Sequence, residues 1–213
     1  MIISLTGFMG CGKSSIGKRL SELLCCRFMD LDQVIEESEG RSIPEIFATD
    51  GEEEFRRLEK EALESVLSQD TDILSDKKPR MVLALGGGTV MTPECAESVR
   101  EKTLSIYLLA SVDTLVERLT GEAAGRPLLA GADSERPGNP SVMSGEVETS
   151  VLRTRILELM SKRAATYERV AHLTVDTDGK SAGEIAGEIS NQLPHLSPQL
   201  GHVRSLSEDV LPL

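Results

Sequence analysis

The stretch Gly7-Phe8-Met9-Gly10-Cys11-Gly12-Lys13-Ser14 decides the fold. It fits the pattern G-x-x-x-x-G-K-[ST], follows a β-branched apolar run at residues 2–6 and precedes a helical pattern at residues 13–24. Glycines let successive backbone N–H groups turn toward an anion, and the following helix presents its positive end there. The alternative, a glycine-rich turn with an incidental lysine, does not explain these flanks. The stretch therefore predicts a loop that binds the phosphates of a nucleotide.

The residues of this loop have predicted roles in binding ATP. Lys13 reaches the β- and γ-phosphates, and the Ser14 hydroxyl ligates Mg²⁺ directly. Cys11 lies inside the loop, where we interpret it as a small neutral filler rather than an oxidation-sensitive thiol. The expected ATP-binding residues within the loop are Gly10, Cys11, Gly12, Lys13, Ser14 and Ser15.

Composition excludes several classes of protein. With 39% hydrophobic and 27% charged residues in 213, the chain is typical of a soluble globular protein, and no apolar run approaches the ~20 residues of a membrane span. A net charge of −12 and an aromatic content of 3% disfavour nucleic acid and anionic membranes as partners. The chain begins directly in a strand and the phosphate loop, so we expect no leader and a cytoplasmic location.

Cysteine spacing predicts neither zinc nor disulfides. The four cysteines show no C-x-x-C pattern and have no histidine nearby, so we expect free thiols.

Alternating strand and helix patterns predict an α/β three-layer sandwich with a five-stranded parallel sheet, as in P-loop kinases of the nucleoside-monophosphate-kinase kind. We expect a single domain at residues 1–193, with a helical substrate-binding excursion at 33–60 and a lid at 120–150, where glycine, proline and serine are frequent. Residues 194–213 are predicted to form a flexible tail. The expected strands are residues 2–6, 28–29, 81–85, 104–109 and 173–175.

Asp30 and Asp32 follow the second predicted strand. Ligands gather at the carboxyl ends of strands in open α/β sheets, so two carboxylates there are placed for chemistry. The alternative is that one of them only caps a helix starting near Gln33, a use that is compatible with function.

Two further segments have both a functional and an ordinary interpretation. Arg56 and Arg57 lie within an acidic run, where exposed ion pairs with residues one helical turn away explain an arginine pair. Gly86, Gly87 and Gly88 follow the third strand, where they form either a second backbone N–H cradle opposite the first loop or a flexible turn.

These segments together resemble shikimate kinase over roughly residues 1–190. The motifs that carry the resemblance are Asp30-Leu31-Asp32, Phe47 with Asp50-Gly51-Glu52, Glu54-Phe55-Arg56-Arg57, Leu85-Gly86-Gly87-Gly88, Arg126-Pro127-Leu128-Leu129, and Lys162-Arg163 with Tyr167. The chain departs from that family in a longer lid, in the tail, and in Leu119 at a position often held by an arginine near adenine, with Arg118 one residue earlier.

The resemblance implies transfer of a phosphate from ATP to the 3-hydroxyl of shikimate, with Mg²⁺ and with no partner chain. Asp32 would bind the shikimate hydroxyls and act as base, and Asp30 would orient Mg²⁺-bound water. On the acceptor side, the resemblance implies that Arg56 and Arg163 clamp the carboxylate and that Gly86, Gly87 and Gly88 supply backbone N–H donors. On the ATP side, it implies that Arg126 of the lid reaches the transferring phosphate and that Arg118 lies near adenine.

Two other functions are compatible with the phosphate loop. A different small-molecule kinase of this fold, such as a gluconate kinase, would lack a clamp built on Arg56 and Arg163. A nucleotide-binding regulatory module would keep Lys13 but would not need Asp32, the glycine loop and a lid arginine together.

Overall fold

The structure is a computed structural model that describes residues 1–68, 79–120 and 145–204; in the last range it describes the side chains of residues 149–195. Arg126 and most of the predicted lid lie outside the described residues, as does the end of the predicted tail.

Five parallel strands form one sheet in the order β2-β3-β1-β4-β5. The strand β1, which leads into the phosphate loop, lies at the centre, with Leu5 opposite Ala84 on one side and Ile106 on the other. The predicted parallel sheet is confirmed: β1 has its predicted bounds, and each of the other strands differs from its predicted bounds by one residue at one end or at both. They are β1 Ile2–Thr6, β2 Arg27–Asp30, β3 Met81–Ala84, β4 Thr103–Leu109 and β5 Leu173–Asp176.

Helices cover both faces of this sheet. The helices of the described chain are α1 Lys13–Leu24, α2 Leu31–Glu39, α3 Ile43–Thr49, α4 Gly51–Ser68, α5 Pro93–Lys102, α6 Val112–Leu119, α7 Gly145–Val170 and α8 Ala182–Arg204, with a short 3₁₀ turn at Thr89–Met91. The predicted start of α2 near Gln33 was wrong by two residues, because Asp30 caps the helix by accepting a hydrogen bond from the backbone N–H of Asp32. The backbone of α8 continues beyond Leu193 through Pro194, although proline removes a helical donor.

Within the described residues the core contains two apolar clusters, one on each face of the sheet, which confirms the three-layer arrangement. Ile3 and Leu5 of β1 pack with α1 and α8, whereas Ile2 packs with the cluster that contains α2 and α4. Because the sheet is covered on both faces, all five residues of β1 are buried, with apolar side chains directed to both clusters. No helix of the described residues is long and apolar enough to cross a membrane.

In the described residues 31–68, the excursion after β2 contains the three helices α2, α3 and α4. The break between α2 and α3 falls at Gly40, whose φ of +64 favours glycine, and Ser42 with Glu45 forms a capping box that starts α3. Ile35, Ile46 and Phe55 are buried together, so these helices pack as one unit beside the carboxyl edge of β2 and β3.

Candidate active site

The phosphate loop connects β1 to α1 in the conformation that its glycines permit. Gly12 has a φ of +98 directly before α1, and Gly10, with a φ of +81, passes so close to Leu119 that a Cβ there would lie 2.9 Å from its side chain. Cys11 is fully buried in the core between them, which agrees with its interpretation as a filler. The loop therefore has the shape that the motif predicts.

Lys13, Ser14 and Asp30 meet at the carboxyl edge of β1 and β2. The Lys13 ammonium donates to the carbonyl oxygens of Gly7 and Phe8, each at 3.0 Å, so it lies along the loop. The Ser14 hydroxyl donates to Asp30 Oδ2 at 2.5 Å, while Asp30 Oδ1 accepts from the Asp32 N–H at 3.1 Å. Asp30 thus caps α2, as the alternative interpretation predicted, and it also faces the phosphate loop, so the cap is compatible with a role in the site.

Asp32 lies in the first turn of α2 with an unusual protonation equilibrium. Burial, followed by the neighbouring Asp30 carboxylate, raises its pKa from 3.8 to about 6, and the Lys13 ammonium only partly opposes this. A Cβ on Gly86 would lie 2.7 Å from Asp32 Oδ1, so the glycine loop passes directly against this carboxyl group. A carboxylate with a pKa near 6 is suited to accept a proton at neutral pH.

The two neighbouring arginines of α4 have different surroundings. Arg57 is half exposed and pairs with Glu54 and Glu61, so the interpretation as a surface ion pair fits this residue. Arg56 is only 19% exposed, and its guanidinium nitrogens lie 2.6 Å from the point where a Cβ on Gly88 would be. Arg56 therefore faces the glycine loop, as a role in the acceptor site requires.

Glu59 is a site residue that the sequence analysis missed. Its side chain is 1% exposed, accepts from Arg56 Nη1 at 2.6 Å and accepts from the Thr89 hydroxyl at 2.6 Å. A sequence signal did exist: Glu59 falls between Phe55 and Leu63 at a spacing of four, on the apolar face of α4 where an unpaired charge is costly.

Arg163 and Tyr167 approach the same glycine loop from α7. Arg163 is 8% exposed and its Nη1 donates to the Gly87 carbonyl at 3.4 Å, with its guanidinium 5.9 Å from the centre of the Phe8 ring. The Tyr167 hydroxyl donates to the same carbonyl at 2.5 Å. The two arginines of the predicted clamp thus meet the loop from different helices.

A cavity of about 440 Å³ joins the phosphate loop to the acceptor side of the site. Arg118 on its wall donates to the carbonyls of Gly10 at 3.4 Å and Thr177 at 3.3 Å, beside Lys180. The cavity lining includes residues 9–16 of the phosphate loop together with Asp30, Asp32 and Gly87.

All four cysteines are free. The described residues contain no group of three or more His, Cys, Asp or Glu side chains arranged to hold a metal ion. The Ser14 hydroxyl and the Asp30 carboxylate lie beside the phosphate loop, and both are oxygen groups of the kind that Mg²⁺ prefers.

A central phosphate loop, a carboxylate with a pKa near 6 and a glycine loop flanked by two arginines define a P-loop kinase that acts on a small molecule. A family model for shikimate kinase matches residues 9–194. Shikimate kinase of Thermus thermophilus is 39% identical over 183 residues, which are 86% of this chain and 84% of that protein.

Solved structures agree with this match. Shikimate kinase from Acinetobacter baumannii in complex with shikimate has a TM-score of 0.73 at 30% identity, covering 90% of this chain and 91% of that one. A gluconokinase from Sinorhizobium meliloti 1021 has a TM-score of 0.50 at 20% identity, and the match covers 94% of this chain and 95% of that one. This is a likeness of fold alone. This chain belongs to the shikimate kinase family, whose members are ATP-dependent phosphotransferases with an alcohol acceptor.

Proposed function

We propose that this chain transfers the γ-phosphate of ATP to the 3-hydroxyl of shikimate, with Asp32 as the general base between the two substrates. The position of Asp32 is the observation that supports this function. The Asp32 carboxyl group, with a pKa of about 6, lies against the Gly86 backbone and lines the same cavity as Lys13 of the phosphate loop. A group in that position accepts the proton of an acceptor hydroxyl while the phosphoryl group arrives from the Lys13 side.

The donor half of the site consists of the phosphate loop and its cations. Loop N–H groups from Gly10 to Ser15 and the Lys13 ammonium would bind the phosphates, and Arg118, on the wall of the same cavity, would lie near adenine. Arg126, outside the described residues, would come from the lid to the transferring phosphate, where such an arginine contributes ~10³–10⁵ to the rate.

The Ser14 hydroxyl and the Asp30 carboxylate fit Mg²⁺, because both are hard oxygen ligands and lie 2.5 Å apart beside the phosphate loop. Ser14 would bind the ion directly and Asp30 would bind it through water. The ion supplies neutralisation of phosphate charge when bound. Asp30 and Ser14 are held in place by the cap of α2 and the first turn of α1.

The acceptor half is built from Arg56, Arg163 and the glycine loop. A guanidinium group donates two parallel hydrogen bonds to a carboxylate. Arg56 Nη2 is bonded to Glu52, whose side chain is 56% exposed, whereas its Nη1 is bonded to the buried Glu59. The shikimate carboxylate would replace Glu52 on Arg56, while Glu59 keeps the guanidinium in position. N–H groups at residues 86–88 would complete the acceptor pocket.

A coupled assay of ADP release tests this function. Shikimate, quinate, gluconate and nucleoside monophosphates are compared as acceptors with ATP and Mg²⁺. We expect turnover that depends on shikimate. Turnover with gluconate instead would assign the alternative kinase, and ATP binding without turnover on any acceptor would assign the regulatory module. Monomeric state and cytoplasmic location stay predictions; size-exclusion chromatography with light scattering tests the first and fractionation of cells tests the second.

A further inference from the structure

Tyr167 has no role in the function described so far, yet its surroundings are unusual for a core tyrosine. Its side chain is fully buried, and its hydroxyl donates to the Gly87 carbonyl at 2.5 Å across 80 residues of sequence. Burial raises the pKa of Tyr167 well above its usual value near 10, so the phenol keeps its proton and remains a donor.

The Gly87 carbonyl is the middle one of three in the glycine loop. The Gly86 carbonyl accepts from the Thr89 N–H at 3.3 Å, and the Gly88 carbonyl accepts from the Met91 N–H at 2.9 Å. Within the described residues, the hydrogen bonds to the Gly87 carbonyl come from two side chains of α7, Tyr167 and Arg163. The 2.5 Å bond from Tyr167 is the shorter, so this phenol is the main restraint on that carbonyl.

A peptide unit flanked by two glycines needs such a restraint. Glycine occupies positive and negative φ with similar ease, so the peptide between Gly87 and Gly88 can flip at little steric cost. A trans peptide is planar, and its N–H points opposite to its carbonyl. Fixing the Gly87 carbonyl against Tyr167 therefore fixes the Gly88 N–H on the opposite side, away from α7.

We propose that Tyr167 is a positioning residue that sets acceptor affinity by holding the Gly87–Gly88 peptide in the orientation that directs the Gly88 N–H toward the acceptor. This inference rests on the proposed function of the glycine loop as part of the acceptor site. Arg163 shares the Gly87 carbonyl, so the same contact also fixes the position of one arm of the carboxylate clamp.

Tyr107 supplies a matched control. Its ring stacks on that of Tyr167, with centroids 5.3 Å apart and an angle of 28° between the planes, and it is equally buried. Its hydroxyl has no hydrogen-bond partner in the described part of the chain. Tyr167→Phe and Tyr107→Phe therefore remove the same atom from the same stacked pair, but only Tyr167→Phe releases the glycine loop.

Steady-state kinetics on the full chain test the inference. For Tyr167→Phe we expect the KM for shikimate to rise about three- to tenfold, the range produced by losing one buried hydrogen bond, with the KM for ATP within about twofold of the unsubstituted value. Tyr107→Phe should leave both values within about twofold. Thermal unfolding should show both variants folded, because each keeps its ring.

Three results would overturn the inference: an unchanged KM for shikimate in Tyr167→Phe, an equal rise for both substrates, or an equal rise in Tyr107→Phe. The last two would assign the tyrosine pair to packing alone. Absence of shikimate turnover in the unsubstituted protein is a different outcome, because it removes the proposed function itself. If the unsubstituted protein does turn over shikimate and Tyr167→Phe matches it, only this inference fails.

Discussion

Replacing Asp32 with asparagine should stabilise the protein at neutral pH while it removes activity. The folded state raises the pKa of Asp32 from 3.8 to about 6, so ionising this group costs more in the folded chain than in the unfolded one. At ~1.4 kcal/mol per pH unit, this difference amounts to roughly 3 kcal/mol, and partial contact with solvent reduces our expectation to about 1–3 kcal/mol. Loss of a general base should lower kcat by ~10²–10⁴.

Because folding raises the pKa of Asp32, the free energy of unfolding depends on pH in a definite direction. Because the folded pKa is raised, the stability of the unsubstituted protein relative to Asp32→Asn declines as pH rises from about 4 to about 6 and is constant above that. Urea unfolding of both proteins at several pH values between about 4 and 8 measures this difference in stability. The gain in free energy of unfolding from Asp32→Asn should be near zero at about pH 4 and should reach its full value above about pH 6.

Asp178 supplies a control of opposite sign. Hydrogen bonds from Ser111 lower the pKa of Asp178, which lies on the surface. Asp178→Asn should therefore lose stability at neutral pH, and its deficit should disappear as the pH falls. Our account of Asp32 would be refuted if Asp32→Asn were no more stable than the unsubstituted protein at neutral pH, or if its advantage did not change with pH.

Three further substitutions have expected outcomes. Arg56→Ala should raise the KM for shikimate far more than the KM for ATP, and equal effects on both would refute the clamp. It should also lower the free energy of unfolding by about 3–5 kcal/mol, because buried Glu59 loses its partner. Arg57→Ala, at the exposed neighbour, should change the free energy of unfolding by no more than about 1 kcal/mol. Cys25→Gly should stabilise the chain by about 1 kcal/mol in thermal unfolding, because Cys25 holds a φ of +51 at the end of α1; no gain would show that the strain is absent. Arg126→Ala should reduce kcat at least as much as Asp32→Asn, and near-normal turnover would remove Arg126 from the mechanism.

Local sequence patterns were enough to predict the sheet and the phosphate loop. β1 is buried on both faces, so its apolar run marks it directly, and the glycines of the loop report the positive φ values at Gly10 and Gly12. The Gly86 to Gly88 segment was predicted from its place after the third strand, and Arg163 only from the resemblance that several motifs carry together. The structure brings the two together at the Gly87 carbonyl.

Long-range contacts determine what the sequence did not predict. The link from Tyr167 to Gly87 spans 80 residues, and no local pattern encodes it. The pKa of Asp32 depends on burial and on the distance to Asp30, both of which arise only when α2 packs against the sheet. Glu59 was missed for a different reason: its place in an acidic run hid its position on the apolar face of α4.

The position of the phosphate on the product shows which acceptor hydroxyl lies beside Asp32. The purified protein is incubated with ATP, Mg²⁺ and shikimate, and proton and phosphorus NMR spectra locate the phosphate ester on the ring. We predict a single ester at the 3-hydroxyl, formed in equal amount to ADP. An ester at another hydroxyl, or ADP formed with inorganic phosphate alone, would contradict the placement of Asp32 between the two substrates.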